Sequence, residues 1–120
     1  MIFDCELKRT VDDSYEIEIG RDLTDKLIAD LKSGLCGRAS RFAVITDTNV
    51  EGLYALPLME KLIEADLRAD LITIPAGEKS KTRDMKAIVE DKMLSLGCRR
   101  DCAVIAVGGG VVTDLSGFVA

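Results

Sequence analysis

The chain has 120 residues, of which 48% are hydrophobic and 31% are charged, and its net charge is −5. This length predicts one domain, and the hydrophobic content is enough for a buried core. The negative net charge argues against non-specific nucleic-acid binding. No apolar run is long enough to cross a membrane, and the acidic start lacks the features of a signal peptide. A cytoplasmic location is therefore predicted.

The chain contains no histidine, and none of its four cysteines is in a C-x-x-C pair. Histidine is the commonest general base and the commonest metal ligand, so its absence removes both roles. A zinc site would need cysteines from distant segments. The sequence therefore predicts reduced cysteines that pack as small apolar residues, with no metal ligands and no catalytic residues.

The first forty residues predict a β-hairpin followed by a helix. Residues 2–9 and 15–19 alternate loosely between apolar and polar side chains, and residues 11–14 between them have turn chemistry. We expect this hairpin at the edge of a sheet. Asp22 is a candidate N-cap for the following helix. The helix has an apolar stripe, and the glycines at the end of this stripe can end the helix. That stripe consists of Leu23, Leu27, Ile28, Leu31 and Leu35.

Three apolar runs, residues 42–46, 70–74 and 102–107, predict strands that alternate with helices. Pro57 indicates the start of one intervening helix, and Thr82 is a candidate N-cap for the next. Strands that alternate with helices imply a parallel sheet with right-handed crossovers. We expect the run 102–107, which is apolar throughout, to be the central strand and to be buried on both faces.

A turn of three glycines, Gly108–Gly110, follows the last strand, and the residues after it have helical spacing, with Val111, Leu115, Phe118 and Val119 on one face. The free N–H groups and the dipole of a helix N-terminus favour an anion, and glycine lets a ligand approach the backbone. The dinucleotide pattern G-x-G-x-x-G fails because Thr113 takes its last glycine position. The turn is thus an anion-binding turn of unspecified family, or a tight turn without a ligand.

Polar loops leave the other two strands, and in a parallel sheet all three loops open at the carboxyl edge. Asp47 could accept hydrogen bonds from a ribose diol or could only cap the next helix, and Asn49 could bind a base or remain a turn residue. Glu78 could accept from sugar hydroxyls, and Lys81 could meet phosphate or solvent. Asp114 could pair with the helix dipole or reach a ribose or nicotinamide.

Three segments together resemble the 3-dehydroquinate synthase family. The sequence GGGVVTDLSGFVA at 108–120 resembles that family's glycine-rich signature. PAGEKSKT at 75–82 resembles its second signature, and DTNV at 47–50 resembles its third. They occur in the family's order and spacing. Thr113 is a departure, since the family commonly has glycine there.

The resemblance implies an α/β fold: a Rossmann-like parallel sheet with flanking helices and an N-terminal β-hairpin, the amino-terminal domain of the dehydroquinate synthase-like fold. It implies an NAD-dependent lyase that converts 3-deoxy-D-arabino-heptulosonate 7-phosphate into 3-dehydroquinate and phosphate, in the shikimate pathway. The positions that match the family's NAD contacts are Asp47, Thr48, Asn49, Gly77, Glu78, Lys81, Gly109, Gly110, Val111 and Asp114.

The family's zinc or cobalt ligands, one glutamate and two histidines, and its substrate-binding residues lie downstream of these motifs. Residues 1–120 are therefore expected to be a truncated NAD-binding domain, inactive alone, from an enzyme that is a homodimer when full length. The alternatives are another sugar-phosphate cyclase, such as a 2-deoxy-scyllo-inosose synthase, or a free-standing nucleotide-binding module.

Overall fold

A parallel sheet of three strands forms the centre of the molecule, whose computed structural model describes residues 1–120. The strands are β1 (Arg41–Asp47), β2 (Arg68–Ile74) and β3 (Cys102–Val107), in the order β2-β1-β3. The predicted strands and their parallel pairing are confirmed. The prediction that the third strand is central and fully buried is wrong. It pairs only with β1 and is half-buried over most of its length, whereas residues 42–46 of β1 are fully buried.

Four α-helices connect and flank the strands, and none of them combines the length and the hydrophobicity needed to cross a bilayer. A π-helical turn, Glu51–Ala55, precedes the second helix, and a short 3-10 turn, Glu78–Ser80, precedes the third. The helices are α1 (Thr24–Lys32), α2 (Leu56–Glu64), α3 (Arg83–Ser95) and α4 (Gly110–Val119).

The two faces of the sheet carry separate hydrophobic clusters, because successive strand side chains point to opposite faces. On one face, Ala43 and Ile45 of β1 pack with residues of α3 and α4 such as Val89 and Leu115. On the other face, Phe42 and Val44 pack with α1 and α2. Helices on both faces of a parallel sheet are the predicted α/β architecture, which is thereby confirmed.

The helix boundaries follow local chemistry in most places. Thr82 caps α3, since its hydroxyl accepts a hydrogen bond from the Met85 N–H at 3.1 Å. Pro57 lies in the first turn of α2, where its missing N–H costs nothing. Asp22, predicted to cap α1, does not. It has a left-handed backbone with φ of 53°, and the N-cap position is taken by Leu23 without a side-chain hydrogen bond.

The predicted N-terminal β-hairpin is not formed. Residues 1–20 contain no strand, and every one of them is exposed. The predicted turn is present locally, because the Asp12 carboxylate accepts a hydrogen bond from the Ser14 N–H at 3.0 Å. A two-stranded hairpin is marginally stable without a third strand or a helix to pack on. Alternation alone was therefore insufficient to produce the strands.

The buried face of α4 is the predicted one only in part. Leu115 is buried and Val119 packs against the core, as predicted. Val112 and Ser116, which were not predicted, are also buried, whereas Phe118, predicted to face the core, is 66% exposed. The glycine turn packs directly on this buried face, because a Cβ at Gly108 would lie 2.8 Å from a methyl carbon of Val112.

Candidate functional site at the carboxyl edge of the sheet

Three loops meet at the carboxyl edge of the sheet, and we call them loop 1 (residues 47–50), loop 2 (residues 75–82) and loop 3 (residues 108–110). Two hydrogen bonds join loop 1 to the end of β2 and to loop 2. The Thr48 N–H donates to the Ile74 carbonyl at 3.0 Å, and the Thr48 hydroxyl accepts from the Ala76 N–H at 3.1 Å. Thr48, a predicted cofactor contact, therefore also holds loop 2 against loop 1.

Asp47 shapes loop 1. One carboxylate oxygen, Oδ1, accepts hydrogen bonds from the N–H groups of Asn49 and Val50, each at 2.9 Å. This is the turn-forming role that the sequence left open. The other oxygen, Oδ2, accepts no hydrogen bond within the chain and is the atom left to meet a ligand. Asn49 is exposed beside it.

Loop 2 has a fixed backbone. Gly77 has φ of 105°, a conformation that other residues rarely adopt. Ser80 is 1% exposed, and its hydroxyl donates to the Pro75 carbonyl, which closes the loop on itself. The 3-10 turn between them leaves Glu78 exposed. The loop therefore presents Glu78 and Lys81 to solvent from a rigid base.

An ion pair joins loop 2 to α4. The Lys81 ammonium donates to Asp114 Oδ2 at 2.8 Å, and both side chains are more than half exposed. This bond raises the pKa of Lys81, with smaller contributions from the charges of Asp114 and Glu78. Lys81 therefore carries its positive charge at neutral pH, and it partly neutralises the carboxylate next to the glycine turn.

The three glycines of loop 3 have different surroundings. A side chain at Gly108 would collide with Val112, so this glycine is needed for the turn itself. At Gly109 and Gly110 an added Cβ would meet nothing within 4 Å, and neither glycine has a positive φ. The backbone at these two positions therefore faces open space and does not need glycine for its conformation.

Helix α4 begins at this open surface without a side-chain cap. Gly109 is its N-cap and has no side chain, and Val111 follows in the first turn. The first N–H groups of a helix have no partner inside it, so they are available to an outside acceptor. Backbone donors, the helix dipole and the Lys81 charge all favour an anion at this point.

Thr113 does not obstruct the open surface with its hydroxyl. The hydroxyl lies near the carbonyls of Gly109 and Gly110, at 3.2 and 3.1 Å, which are acceptors in the preceding turn of the same helix. Serine and threonine commonly bond back in this way within helices. The departure from glycine at this position thus leaves the helix start intact.

Thr46 is a site-forming residue that the sequence analysis missed. It is completely buried, and its hydroxyl donates to the Val107 carbonyl at 2.8 Å. The bond ties the end of β1 to the last residue before loop 3. A single hydroxyl at the end of an otherwise apolar run was the signal available in the sequence, because a buried hydroxyl needs a partner.

No group of three or more histidine, cysteine, aspartate or glutamate side chains is arranged to hold a metal ion. The polar groups at the carboxyl edge are backbone N–H donors, one ammonium donor and separate carboxylate acceptors, a combination that suits a nucleotide. All ten sequence-predicted site residues lie in these three loops or in the first turns of α4.

Sequence comparison finds similarity to one family. The family described as 3-dehydroquinate synthase N-terminal matches residues 71–120. The 3-dehydroquinate synthase of Rhizobium leguminosarum bv. trifolii is 42% identical over 107 residues, which are 89% of this chain and 28% of that protein. This chain is therefore similar to the N-terminal part of 3-dehydroquinate synthases. The pentafunctional AROM polypeptide of Yarrowia lipolytica is 38% identical over 111 residues, which are 87% of this chain and 7% of that protein.

Solved structures agree with the fold. A 2-deoxy-scyllo-inosose synthase has a TM-score of 0.74 at 20% identity, over 84% of this chain and 28% of the other. The 2-epi-5-epi-valiolone synthase from Streptomyces hygroscopicus, solved with NAD+ and Zn2+ bound, has a TM-score of 0.71 at 27% identity, over 96% of this chain and 31% of the other. This chain thus spans a little under a third of each of these two proteins.

Proposed function

We propose that residues 1–120 form the NAD-binding domain of a 3-dehydroquinate synthase, and that metal- and substrate-binding residues are supplied by other parts of the enzyme. The complete enzyme would convert 3-deoxy-D-arabino-heptulosonate 7-phosphate into 3-dehydroquinate and phosphate. Support comes from the sequence similarity to the synthases and from the convergence of the three signature segments on one edge of the sheet.

In this proposal the three loops bind different parts of NAD. Gly109, Gly110 and Val111 offer backbone N–H groups to the pyrophosphate, and Lys81 supplies a compensating charge. When bound, NAD would supply reversible oxidation of a substrate hydroxyl. The remaining contacts are with sugar hydroxyls or with the adenosine end, and they come from Gly77, Glu78, Asp47, Thr48, Asn49 and Asp114.

The observation that carries the proposal is the open backbone at Gly109 and Gly110. Glycine there relieves no steric conflict within the chain, because an added Cβ would meet no atom within 4 Å. It also avoids no backbone strain, because neither φ is positive. Close approach of an external group is the remaining reason for two glycines at a helix N-terminus.

The test replaces Gly109 and Gly110 singly with alanine and measures NAD binding by titration calorimetry. We expect NAD affinity to fall at least about tenfold, equivalent to about 1.4 kcal/mol. Stability should stay the same or rise by up to about 1 kcal/mol, since alanine restricts the unfolded chain. Gly117→Ala is the matched control, because Gly117 lies further along α4 and also faces open space. Unchanged affinity in both loop variants would contradict the proposal.

Activity is tested separately, by growth of a bacterium that lacks 3-dehydroquinate synthase on medium without aromatic amino acids. We expect residues 1–120 alone to give no growth, because this chain contains no histidine and no metal-binding cluster. Expressing the chain together with a segment that carries the family's metal ligands should restore growth. Growth supported by residues 1–120 alone would contradict the proposal that other parts of the enzyme supply the metal- and substrate-binding residues.

The complete enzyme is further proposed to be cytoplasmic and a homodimer.

A related sugar-phosphate cyclase is the second candidate, and the fold similarity to two such enzymes favours considering it. Sequence identity favours the first proposal, because this chain is 42% identical to a 3-dehydroquinate synthase and 27% identical to the 2-epi-5-epi-valiolone synthase. Product analysis of the complete enzyme, supplied with each candidate sugar phosphate and NAD, separates the two. Formation of 3-dehydroquinate supports the synthase.

A further inference from the structure

The amino edge of the sheet, opposite the carboxyl-edge loops, carries a concentration of arginine. Five of the eight arginines in the chain lie there: Arg38, Arg41, Arg68, Arg99 and Arg100. The chain as a whole has a net charge of −5, so the positive charge of this edge is opposite in sign to that of the chain. All the ion pairs in the molecule are made by lysines, and none of the five arginines has an acidic partner within 4.0 Å.

Two of these arginines are held side by side by the sheet. Arg41 and Arg68 are register partners at the start of β1 and β2, so their side chains leave the same face of the sheet. Like charges in register repel each other. Arg41 cannot move away freely, because it is half-buried and its Nη1 donates to the Gly97 carbonyl at 3.0 Å. Its Nε is buried and has no hydrogen-bond partner.

One carboxylate, Asp101, lies among these charges. Its Oδ2 accepts a hydrogen bond from the Ser40 hydroxyl at 2.8 Å. That bond, followed by the charges of Arg41 and Arg68, lowers the pKa of Asp101. The other acids near this edge are Asp66 and Asp70, each two residues from Arg68, and Glu90, which already pairs with Lys86 at 2.9 Å. The positive charges outnumber the acids available to them.

The exposed arginines border an open cavity. Arg38, Arg100 and Asp101 line a depression of about 400 Å³ beside the first residues of β3. Arg99 and Arg100 line a second, wider depression that continues toward α3. Guanidinium groups bind phosphate through paired N–H groups, and a dianion offsets more than one cation.

We propose that the amino edge of the sheet binds a phosphate group, with Arg38 and Arg100 as its exposed ligands and with Arg41 and Arg68 adding positive charge at the same edge. The site is separate from the carboxyl-edge loops and does not depend on the NAD proposal. Its ligand is inorganic phosphate or the phosphate of a small phosphomonoester, since both present the same chemistry to the arginines.

The test is an NMR titration of the ¹⁵N-labelled chain with inorganic phosphate, with chloride added to the control at the same ionic strength. We expect saturable shifts at Ser40, Asp101 and the arginine Nε–H signals. Arg38→Gln and Arg100→Gln should each weaken binding at least about threefold, within the range of a partly exposed charged contact. Arg9→Gln, in the exposed N-terminal segment, removes the same charge and should change nothing.

Two further titrations define the ligand. Tighter binding of glycerol 3-phosphate at the same signals indicates a phosphomonoester, and equal or weaker binding indicates free phosphate. Acetate should bind at least about threefold more weakly than phosphate, because a monoanion offsets less of the charge. Shifts confined to loop 3, or identical affinity in wild type, Arg38→Gln and Arg100→Gln, would overturn the proposal. The spectra themselves show whether each variant is folded.

Discussion

Replacing Thr46 with valine tests how the end of β1 positions loop 3. Valine keeps the shape and volume of threonine but removes the hydroxyl that donates to Val107 at 2.8 Å. The site is completely buried, so water does not readily replace the lost donor. The net loss of a hydrogen bond together with an unsatisfied carbonyl costs about 1–3 kcal/mol. Urea denaturation should show this decrease in the free energy of unfolding, with an unchanged m-value.

Thr46→Ser is the matched comparison, because serine keeps the hydroxyl and removes only a buried methyl group. Both variants should be less stable than wild type, but only Thr46→Val should accelerate hydrogen exchange of the N–H groups of Gly108–Gly110. NAD affinity should fall in the valine variant and be retained in the serine variant. If valine leaves stability and the exchange rates unchanged, the Thr46–Val107 bond does not hold the turn and the reasoning is refuted.

Three other predictions follow from single contacts. Thr82→Ala removes the cap of α3 and should lower the free energy of unfolding by about 1 kcal/mol in urea denaturation, whereas Thr82→Ser should restore most of it. Ser40→Ala should raise the pKa of Asp101 toward 3.8 in an NMR titration. Because folding lowers this pKa, the ionised carboxylate stabilises the folded protein above pH 3.8, and this stabilisation is lost as the pH falls through the folded-state pKa. The variant should therefore lose less stability than wild type on acidification. Burial, assisted by the neighbouring Cys98, raises the pKa of the Cys102 thiol to about 12, so iodoacetamide should label exposed Cys5 well before Cys102 near pH 8, and equal rates in the native protein would contradict this.

The elements that the sequence predicted well are those whose local pattern and tertiary role agree. Residues 42–46 and 70–74 are mainly apolar in sequence and form the strands β1 and β2 in the structure, and Thr82 caps α3 through an interaction with its own neighbour. The placement of the three signature loops at one edge also followed from strand–helix alternation alone. These features depend on short-range chemistry or on the handedness of the crossover.

The failures depend on neighbours that are not visible in a local pattern. The alternation at residues 15–19 resembles a strand, but no other strand lies alongside to accept its hydrogen bonds. The buried face of α4 includes Val112, which packs against Gly108, and spacing from Val111 onward does not reveal that contact. The Thr46 bond joins residues 61 positions apart, and only the register of β1 and β3 brings them together.

The exposed N-terminal segment has a hydrodynamic consequence. A compact chain of this length has a radius of gyration of about 14 Å, whereas this molecule has 17.0 Å and a longest dimension of 65 Å. Residues 1–20 account for the difference, because the sheet and helices form the compact remainder. The protein should therefore elute from a size-exclusion column ahead of a globular standard of 13.0 kDa, and removal of the segment by a protease should delay elution by more than the lost mass alone would explain.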